Sequence, residues 1–290
     1  MVIASTVVGT ALILIALNDV FQTLLRPSAT GRLTHFVFRF GWALARRRRR
    51  SLVSSGALTV LATIGLWLGL LTVGWALLYL PHVPEGFSYS GVDPERYAPF
   101  VEALTFSMVA LTTLGLGDVI PAEPWIRALS PLEALTGFAL LSASVSWFMQ
   151  LYPALARRRA FAIELTAMHE AGVTTELDRL GSADAVATVR SVTQSLAAVT
   201  ADLVQNTEIF YFAERDARLS AARALAFTID LRDAALASHS PELRTAGMVL
   251  ERVIDELVRV LRAQYPHVRG ESPAEVLDHV ASSHGHSADD

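Results

Sequence analysis

The segment from Thr112 to Asp118, with the sequence Thr-Thr-Leu-Gly-Leu-Gly-Asp, could do the most distinctive chemistry in this chain. Gly115 and Gly117 alternate with leucines, and glycine adopts left-handed backbone angles that other residues resist. A strand that alternates left- and right-handed conformations can point its carbonyl oxygens to one side. Rings of such carbonyls, contributed by several chains, can replace the water around a cation. The segment therefore predicts a cation site built from backbone.

The elements around this segment are apolar and helical. The chain has 290 residues, 52% of them hydrophobic, with a mean hydropathy of +0.40. Apolar runs at 2–25, 52–80 and 130–152 are each long enough to span a bilayer, which takes about 20 residues. A shorter amphipathic segment, 99–111, predicts a re-entrant pore helix whose C-terminal dipole favours a cation. The fold class predicted is an all-α membrane protein with three transmembrane helices and a cytoplasmic helical bundle.

Arginine clusters predict how the chain is oriented. All 24 basic residues are arginine, and two clusters, 46–50 and 157–159, flank the pore segment. Positive charge marks the cytoplasmic side, so we expect the glycine-rich loop 112–118 outside, the C-terminus inside and a multi-pass protein of the cell (plasma or inner) membrane. An amphipathic helix over 30–45 would lie in the interface. The cluster Arg46, Arg47, Arg48, Arg49 and Arg50 would also attract anionic lipid.

The sequence contains few motifs typical of enzymes, cofactor-binding proteins or nucleic-acid-binding proteins. There is no cysteine, which excludes disulfides and thiolate metal sites. No metalloprotease, nucleophile-elbow or phosphate-loop motif is present, so we expect neither an enzyme nor a cofactor. Residues 157–290 carry 14 arginines against 20 acidic residues, which disfavours nucleic acid as a partner. His279, His284 and His286 could hold a metal, although a solvated tail explains them as well.

Several residues inside the spans have two interpretations. Asp19 could be functional, or it could simply reach the interface or pair with an arginine. Gly65 and Gly69 favour close helix approach, and Tyr79 could anchor the outer end of the second span. Ser130–Glu133 resembles a capping box that begins the third span.

The C-terminal region shows two heptad patterns. Apolar residues recur at steps of three and four over 189–203 and again over 243–261. The patterns indicate either an interface between copies or the core of a bundle within one chain. We divide the chain into residues 1–50, an N-terminal span with an interfacial helix; 51–156, a pore domain; and 157–290, a cytoplasmic helical domain.

Residues 52–153 resemble the pore module of the two-transmembrane, pore-loop potassium-channel family of prokaryotic type. The matching residues are Thr112-Thr113, Gly115, Gly117, Asp118 and Pro121. The resemblance implies a homotetramer in which four modules surround one potassium-selective pore. The resemblance does not extend to the first span or to the C-terminal domain. The C-terminal domain also lacks a dinucleotide-binding motif.

The resemblance also implies roles for single residues. The carbonyls of Thr113, Leu114, Gly115 and Leu116, with the Thr113 hydroxyl, would bind K⁺, and Gly117 would complete the filter. Thr112 and Asp118 would support it. Gly137 would be a hinge, and the inner gate would lie within 144–148, with modulation by the cytoplasmic domain.

The sequence departs from the family at three places around the filter. Leu116 replaces the usual tyrosine or phenylalanine, Thr105-Phe106 replaces paired tryptophans, and Val109 stands where many members have a buried glutamate. A filter braced by apolar packing moves more easily. A weakly selective cation channel of the same architecture is therefore one alternative, and a membrane sensor or scaffold with a vestigial pore is another.

Overall fold

The computed structural model describes residues 2–24, 31–47, 52–94, 96–265 and 267–284. Helix dominates these residues, and three helices are long and apolar enough to cross a membrane, which confirms the predicted all-α membrane fold. The α-helices are α1 (Val2–Leu24), α2 (Arg32–Arg47), α3 (Leu52–Tyr79), α4 (Pro99–Leu111), α5 (Pro124–Glu170), α6 (Val173–Glu176), α7 (Ser182–Gln205), α8 (Ala221–Ala224), α9 (Ala226–Ala237), α10 (Pro241–Gln264) and α11 (Pro273–Ser283). Short 3₁₀ turns occupy Leu80–His82, Thr207–Tyr211 and Ala217–Leu219.

Helix α5 begins earlier than the capping-box pattern predicts. It starts at Pro124 and runs unbroken for 47 residues, so Ser130-Pro131 lies inside it. Proline is tolerated in the first turn because its missing N–H would have no helical partner there, and Pro124 occupies such a position. Glu133 is thereby free of a capping role.

The described residues group into two compact units, and the first comprises Met1–Val37 and Val60–Met149. Within it, α1 and α3 approach through glycines: a Cβ added at Gly9 would lie 2.5 Å from the Gly74 carbonyl oxygen. The pair predicted for close approach, Gly65 and Gly69, has nothing within 4 Å of an added Cβ in this chain. Close packing of the second span therefore uses a different glycine from the small-residue motif.

A small antiparallel sheet joins the loop after α3 to the segment before α5. Strand β1 (Phe87–Tyr89) pairs with β2 (Val119–Pro121), with Ser88 opposite Ile120. The sequence analysis predicted no strand here, because three-residue strands are too short for a period of two to be visible.

The second unit comprises Phe38–Thr59 and Gln150–Asp290. Its core contains both heptad patterns, whose apolar side chains are buried within the single chain. These buried residues are Val189, Val192, Leu196, Val199, Leu203, Leu243, Leu250, Ile254, Leu257 and Leu261. A Cβ at Gly247 of α10 would lie 3.0 Å from the Ala235 Cβ of α9. The heptads therefore mark intrachain core, one of the two alternatives.

The same unit buries one side of the second half of the amphipathic helix, through Phe38, Trp42 and Ala45. Trp42 of α2 packs its ring 5.8 Å from that of Tyr211 and 5.1 Å from that of His284. Tyr211 is buried, and this desolvation raises the pKa of its hydroxyl to about 12. Phe38, Trp42 and Ala45 are therefore covered by protein, whereas Phe36, Phe40 and Leu44, which belong to the predicted interfacial face, are exposed. The membrane-interface position of α2 stays a prediction.

The C-terminal histidines were predicted to form either a metal site or a solvated tail, and the structure describes only some of them. His284 is buried, with Nε2 2.8 Å from the Phe210 carbonyl oxygen and Nδ1 2.8 Å from that of Val280. His286 lies outside the described residues, as do Arg48, Arg49 and Arg50. Among the residues that are described, no group of three metal-binding side chains forms.

Candidate functional site

The backbone of the loop after α4 alternates in handedness. Thr113, Gly115 and Gly117 have φ angles of 57°, 57° and 81°, and no leucine between them has a positive φ. Thr113 is the one non-glycine residue with positive φ among those described. A β-branched residue in this region is strained, and such strain persists where the surroundings impose it, often at functional sites. The geometry is the alternation that a one-sided column of carbonyls requires.

Helix α4 fixes the start of this loop. The amide of Thr113 donates to the Ala110 carbonyl at 3.0 Å, and that of Leu114 donates to the Val109 carbonyl at 3.0 Å. Thr112 turns its hydroxyl back to the Met108 carbonyl at 2.7 Å. The loop therefore leaves the helix through a hydrogen-bonded turn, which explains how Thr113 is held at its unusual angles.

The sheet fixes the other end of the loop. The Asp118 carbonyl accepts a hydrogen bond from the Ser90 amide at 2.8 Å, immediately before β2. The Asp118 carboxylate accepts from the neighbouring Val119 amide at 3.0 Å. Burial, aided by the carboxylates of Glu102 and Glu85, raises the pKa of the Tyr89 hydroxyl on β1. Asp118 thus anchors the outer end of the loop mainly through backbone.

Comparison with known proteins decides the family of this segment. The family model described as ion channel matches residues 65–152, which contain α4, the loop and much of α3 and α5. These residues are similar to the ion-channel family, and the match covers less than half of the chain. By the roles that the sequence resemblance predicts for them, we label α4 the pore helix, residues 112–118 the filter loop and α5 the inner helix.

Two curated relatives are similar to parts of this chain. An uncharacterized membrane protein of Bacillus subtilis (strain 168) is 24% identical over 152 residues, which cover 50% of this chain and 43% of that protein. Two-pore potassium channel 5 of Arabidopsis thaliana is 36% identical over 67 residues, which cover 22% of this chain and 16% of that protein. The chain therefore spans less than half the length of either relative. No solved structure matches it.

Gly137 of the inner helix lies against the end of the pore helix. A Cβ added at Gly137 would stand 1.8 Å from the Leu111 carbonyl oxygen, so the two backbones touch here. The inner helix is continuous through this position. The structure thus supplies a packing reason for the glycine, and its role as a hinge stays a prediction.

A buried carboxylate, which sequence reasoning took for a capping residue, holds the pore helix from behind. Glu133 of the inner helix is fully buried and accepts hydrogen bonds from Tyr79 Oη at 2.8 Å and from Ser107 Oγ at 2.5 Å. Tyr79, expected as an outer-end anchor, is likewise buried. The available signal was an ionisable residue inside an apolar span, which marks a candidate functional site.

Asp19 of α1 forms a second polar centre in the same unit. Its carboxylate accepts from the amides of Leu33 and Thr34, the Thr34 hydroxyl and Trp67 Nε1, at 2.7–3.2 Å. These partners differ from the arginine or interface considered in the sequence analysis. The Trp67 ring in turn lies 5.7 Å from that of Trp147, within the predicted gate segment 144–148.

Proposed function

We propose that this protein is a homotetrameric, potassium-selective channel of the cell membrane. The observation that carries the proposal is the left-handed backbone at Thr113, Gly115 and Gly117, in a loop between the pore and inner helices of an ion-channel segment. Each such reversal of handedness turns the next carbonyl to the same side as the last. A column of oxygens then takes the place of the water around the ion.

In this proposal the ion ligands are the carbonyls of residues 113–116, joined at the inner end by the Thr113 hydroxyl. Thr112 is a support residue, since its hydroxyl already bonds to Met108 of the pore helix. Gly117 and Asp118 end the column, where Ser90 ties the loop to the outer sheet. K⁺ is the permeant ion, and the name of the plant relative supports that choice.

Assembly of several chains is proposed because one chain supplies one loop, and a closed ring of carbonyls needs more. Leu114 and Leu116 are 63% and 59% exposed in the single chain, although both are apolar. Gly65 and Gly69 leave open space beside α3. Neighbouring copies that pack on these surfaces would bury the leucines and use the glycines for close approach.

The proposed topology places the filter loop outside and the C-terminal domain in the cytoplasm. Arg157 and Arg159, at the cytoplasmic end, form ion pairs with Asp202 and Glu214 in the second unit. We retain Arg46–Arg50 as a proposed contact for anionic lipid. The domain over 160–280 would bias the inner gate because the inner helix extends into it as a single element.

A weakly selective cation channel is the second candidate, and Leu116 favours it. A leucine side chain has no polar atom with which to hydrogen-bond the pore helix, so less holds the filter at one radius. The reversal potential in mixed potassium and sodium distinguishes the two candidates.

The decisive experiment compares two left-handed glycines. Gly117 (φ 81°) and Gly91 (φ 76°) have similar backbone angles, and an added Cβ meets nothing within 4 Å at either. Substitution by alanine costs about 1–2 kcal/mol of backbone strain at each site in each subunit. Purified protein in planar bilayers should conduct K⁺ selectively, Gly117→Ala should abolish selective conduction, and Gly91→Ala should retain it.

Both variants should insert into membranes, which expression and detergent extraction check. Normal potassium selectivity in Gly117→Ala would show that this loop is not the filter. A wild-type protein that carries no ions would favour a sensor or scaffold.

A further inference from the structure

We propose that Glu133 is a positioning residue for the filter, and that its proton sets how the pore helix is held. The inference rests on the proposed channel function. Glu133 forms hydrogen bonds with Tyr79 and Ser107 and with no described residue of the filter loop, so we assign its influence to Ser107 and the pore helix.

The geometry joins three helices at one carboxyl group. Tyr79 comes from α3, Ser107 from the pore helix and Glu133 from the inner helix, and all three side chains are completely buried. Tyr79 Oη lies 2.8 Å from Glu133 Oε2, and Ser107 Oγ lies 2.5 Å from Glu133 Oε1. Ser107 Oγ is also 3.0 Å from the Thr72 carbonyl oxygen of α3.

A count of protons gives this cluster two states. Ser107 has one hydroxyl proton but two acceptors within reach, a carboxyl oxygen and the Thr72 carbonyl. When Glu133 is protonated, it donates to Ser107 Oγ, which donates onward to Thr72. When Glu133 is ionised, Ser107 donates to the carboxylate instead and its bond to α3 is lost. The protonated state therefore ties the pore helix to both neighbours.

This cluster is in register with the contact at the end of the pore helix. Glu133 and Gly137 are four residues apart on the inner helix, and their partners Ser107 and Leu111 are four apart on the pore helix. Residues four apart share a helix face. The inner helix thus holds the pore helix at two successive turns, the second of which ends one residue before the filter loop. If the helical turn at Ser107 is held less firmly, the end of the pore helix can shift, and with it the Ala110 carbonyl that accepts from the Thr113 amide.

Other ionisable groups lie on the elements around this carboxyl. Tyr79 faces it from α3, while Glu102, the carboxylate of the pore helix itself, is buried and is repelled by the charge of Asp118. His82, in the turn after α3, lies 3.9 Å from Glu123. Arg127, on the inner helix itself, forms no ion pair with Glu133 among the described residues. No cation there fixes the carboxyl in its charged form.

The test measures the potassium-over-sodium permeability ratio in liposomes as a function of pH. We expect the wild-type ratio to fall by at least about fivefold from acidic to alkaline pH, the scale of typical coupling between sites. Glu133→Gln should hold the acidic ratio throughout. Its amide nitrogen donates to Ser107 and its oxygen accepts from Tyr79, as the protonated carboxyl does. Asp19→Asn, at the buried carboxylate of α1, should keep the wild-type pH profile.

Two further measurements keep the proposal testable. Tyr79→Phe retains the carboxyl and should retain a pH dependence with a displaced midpoint. Infrared spectroscopy should show a protonated-carboxyl band in the wild type that is missing in Glu133→Gln. Identical pH profiles in the wild type and Glu133→Gln would overturn the role of Glu133 while leaving the channel function standing. If the wild type carries no K⁺, the channel proposal fails, and absence of the carboxyl band would overturn the protonated state separately.

Discussion

Asp19 and Glu133 are both buried carboxylates inside apolar spans, with 3% and 0% of their surface exposed, yet they hold different kinds of partner. Asp19 accepts from two backbone amides, an indole and one hydroxyl. Glu133 accepts from two hydroxyls. Amide and indole N–H groups can only donate, whereas a hydroxyl donates and accepts.

This difference determines what each carboxylate can do. Three of the four donors around Asp19 are N–H groups, which only an acceptor can satisfy, and its one hydroxyl partner, Thr34, already accepts from the Thr23 hydroxyl. Two of those donors are at the start of α2, where a helix N-terminus also favours negative charge. Asp19 is therefore a fixed anchor that joins α1, α2 and α3. The hydroxyls around Glu133 can reverse direction, so that site accommodates a proton.

The largest expected effect comes from the same carboxyl-to-amide change at the two sites. Asp19→Asn should lower the free energy of unfolding by about 2–4 kcal/mol, because its NH₂ group faces donors that have no alternative acceptor. Glu133→Gln should lower it by about 1 kcal/mol or less. Thermal unfolding in detergent measures both. Equal losses of unfolding free energy at the two sites would contradict the distinction between the fixed anchor at Asp19 and the site at Glu133 that accommodates a proton.

A smaller effect is expected when one aromatic donor is removed at each site. Trp67→Phe leaves Asp19 with three donors and also disturbs the ring contact with Trp147. It should lower the free energy of unfolding by about 2 kcal/mol, from one hydrogen bond to a charged group and lost packing. Tyr79→Phe should lower it by about 1 kcal/mol. A larger loss in Tyr79→Phe than in Trp67→Phe would invert the comparison.

The smallest expected effect separates stability from function. Thr34→Val and Ser107→Ala each remove one hydroxyl and should each lower the free energy of unfolding by about 1 kcal/mol. Only Ser107→Ala should flatten the pH dependence of ion permeability, since Ser107 relays the state of Glu133 to α3. A flattened profile in Thr34→Val would mean that any weakened polar contact between the helices has this effect.

The patterns that succeeded in the sequence are local ones. Hydropathy over about 20 residues located the three spans, and the Pro99 start located the pore helix. The placement of Gly115 and Gly117 predicted left-handed backbone, because that preference belongs to glycine itself. The left-handed angle at Thr113 was implied only by the expected alternation, since threonine resists it.

The sequence patterns that misled are those whose meaning depends on which distant residues they contact. The start of α5 was placed at a capping box because the sequence does not show that Glu133 faces Tyr79 and Ser107. The small-residue pair in α3 gave a plausible contact, whereas α1 meets α3 at Gly74. The heptads fitted an interface or a core equally well, until burial within one chain decided between them.

The sequence by itself determined the spans, the pore helix and the glycines of the filter loop, because these depend on solvation and backbone sterics within a few neighbouring residues. Tertiary structure alone decided which buried carboxylate is an anchor and which is adjustable. That distinction depends on the chemistry of donors that lie 14 to 54 residues away along the chain. A carboxylate has the same sequence letter in both settings, and only its partners fix where its proton and its hydrogen bonds lie.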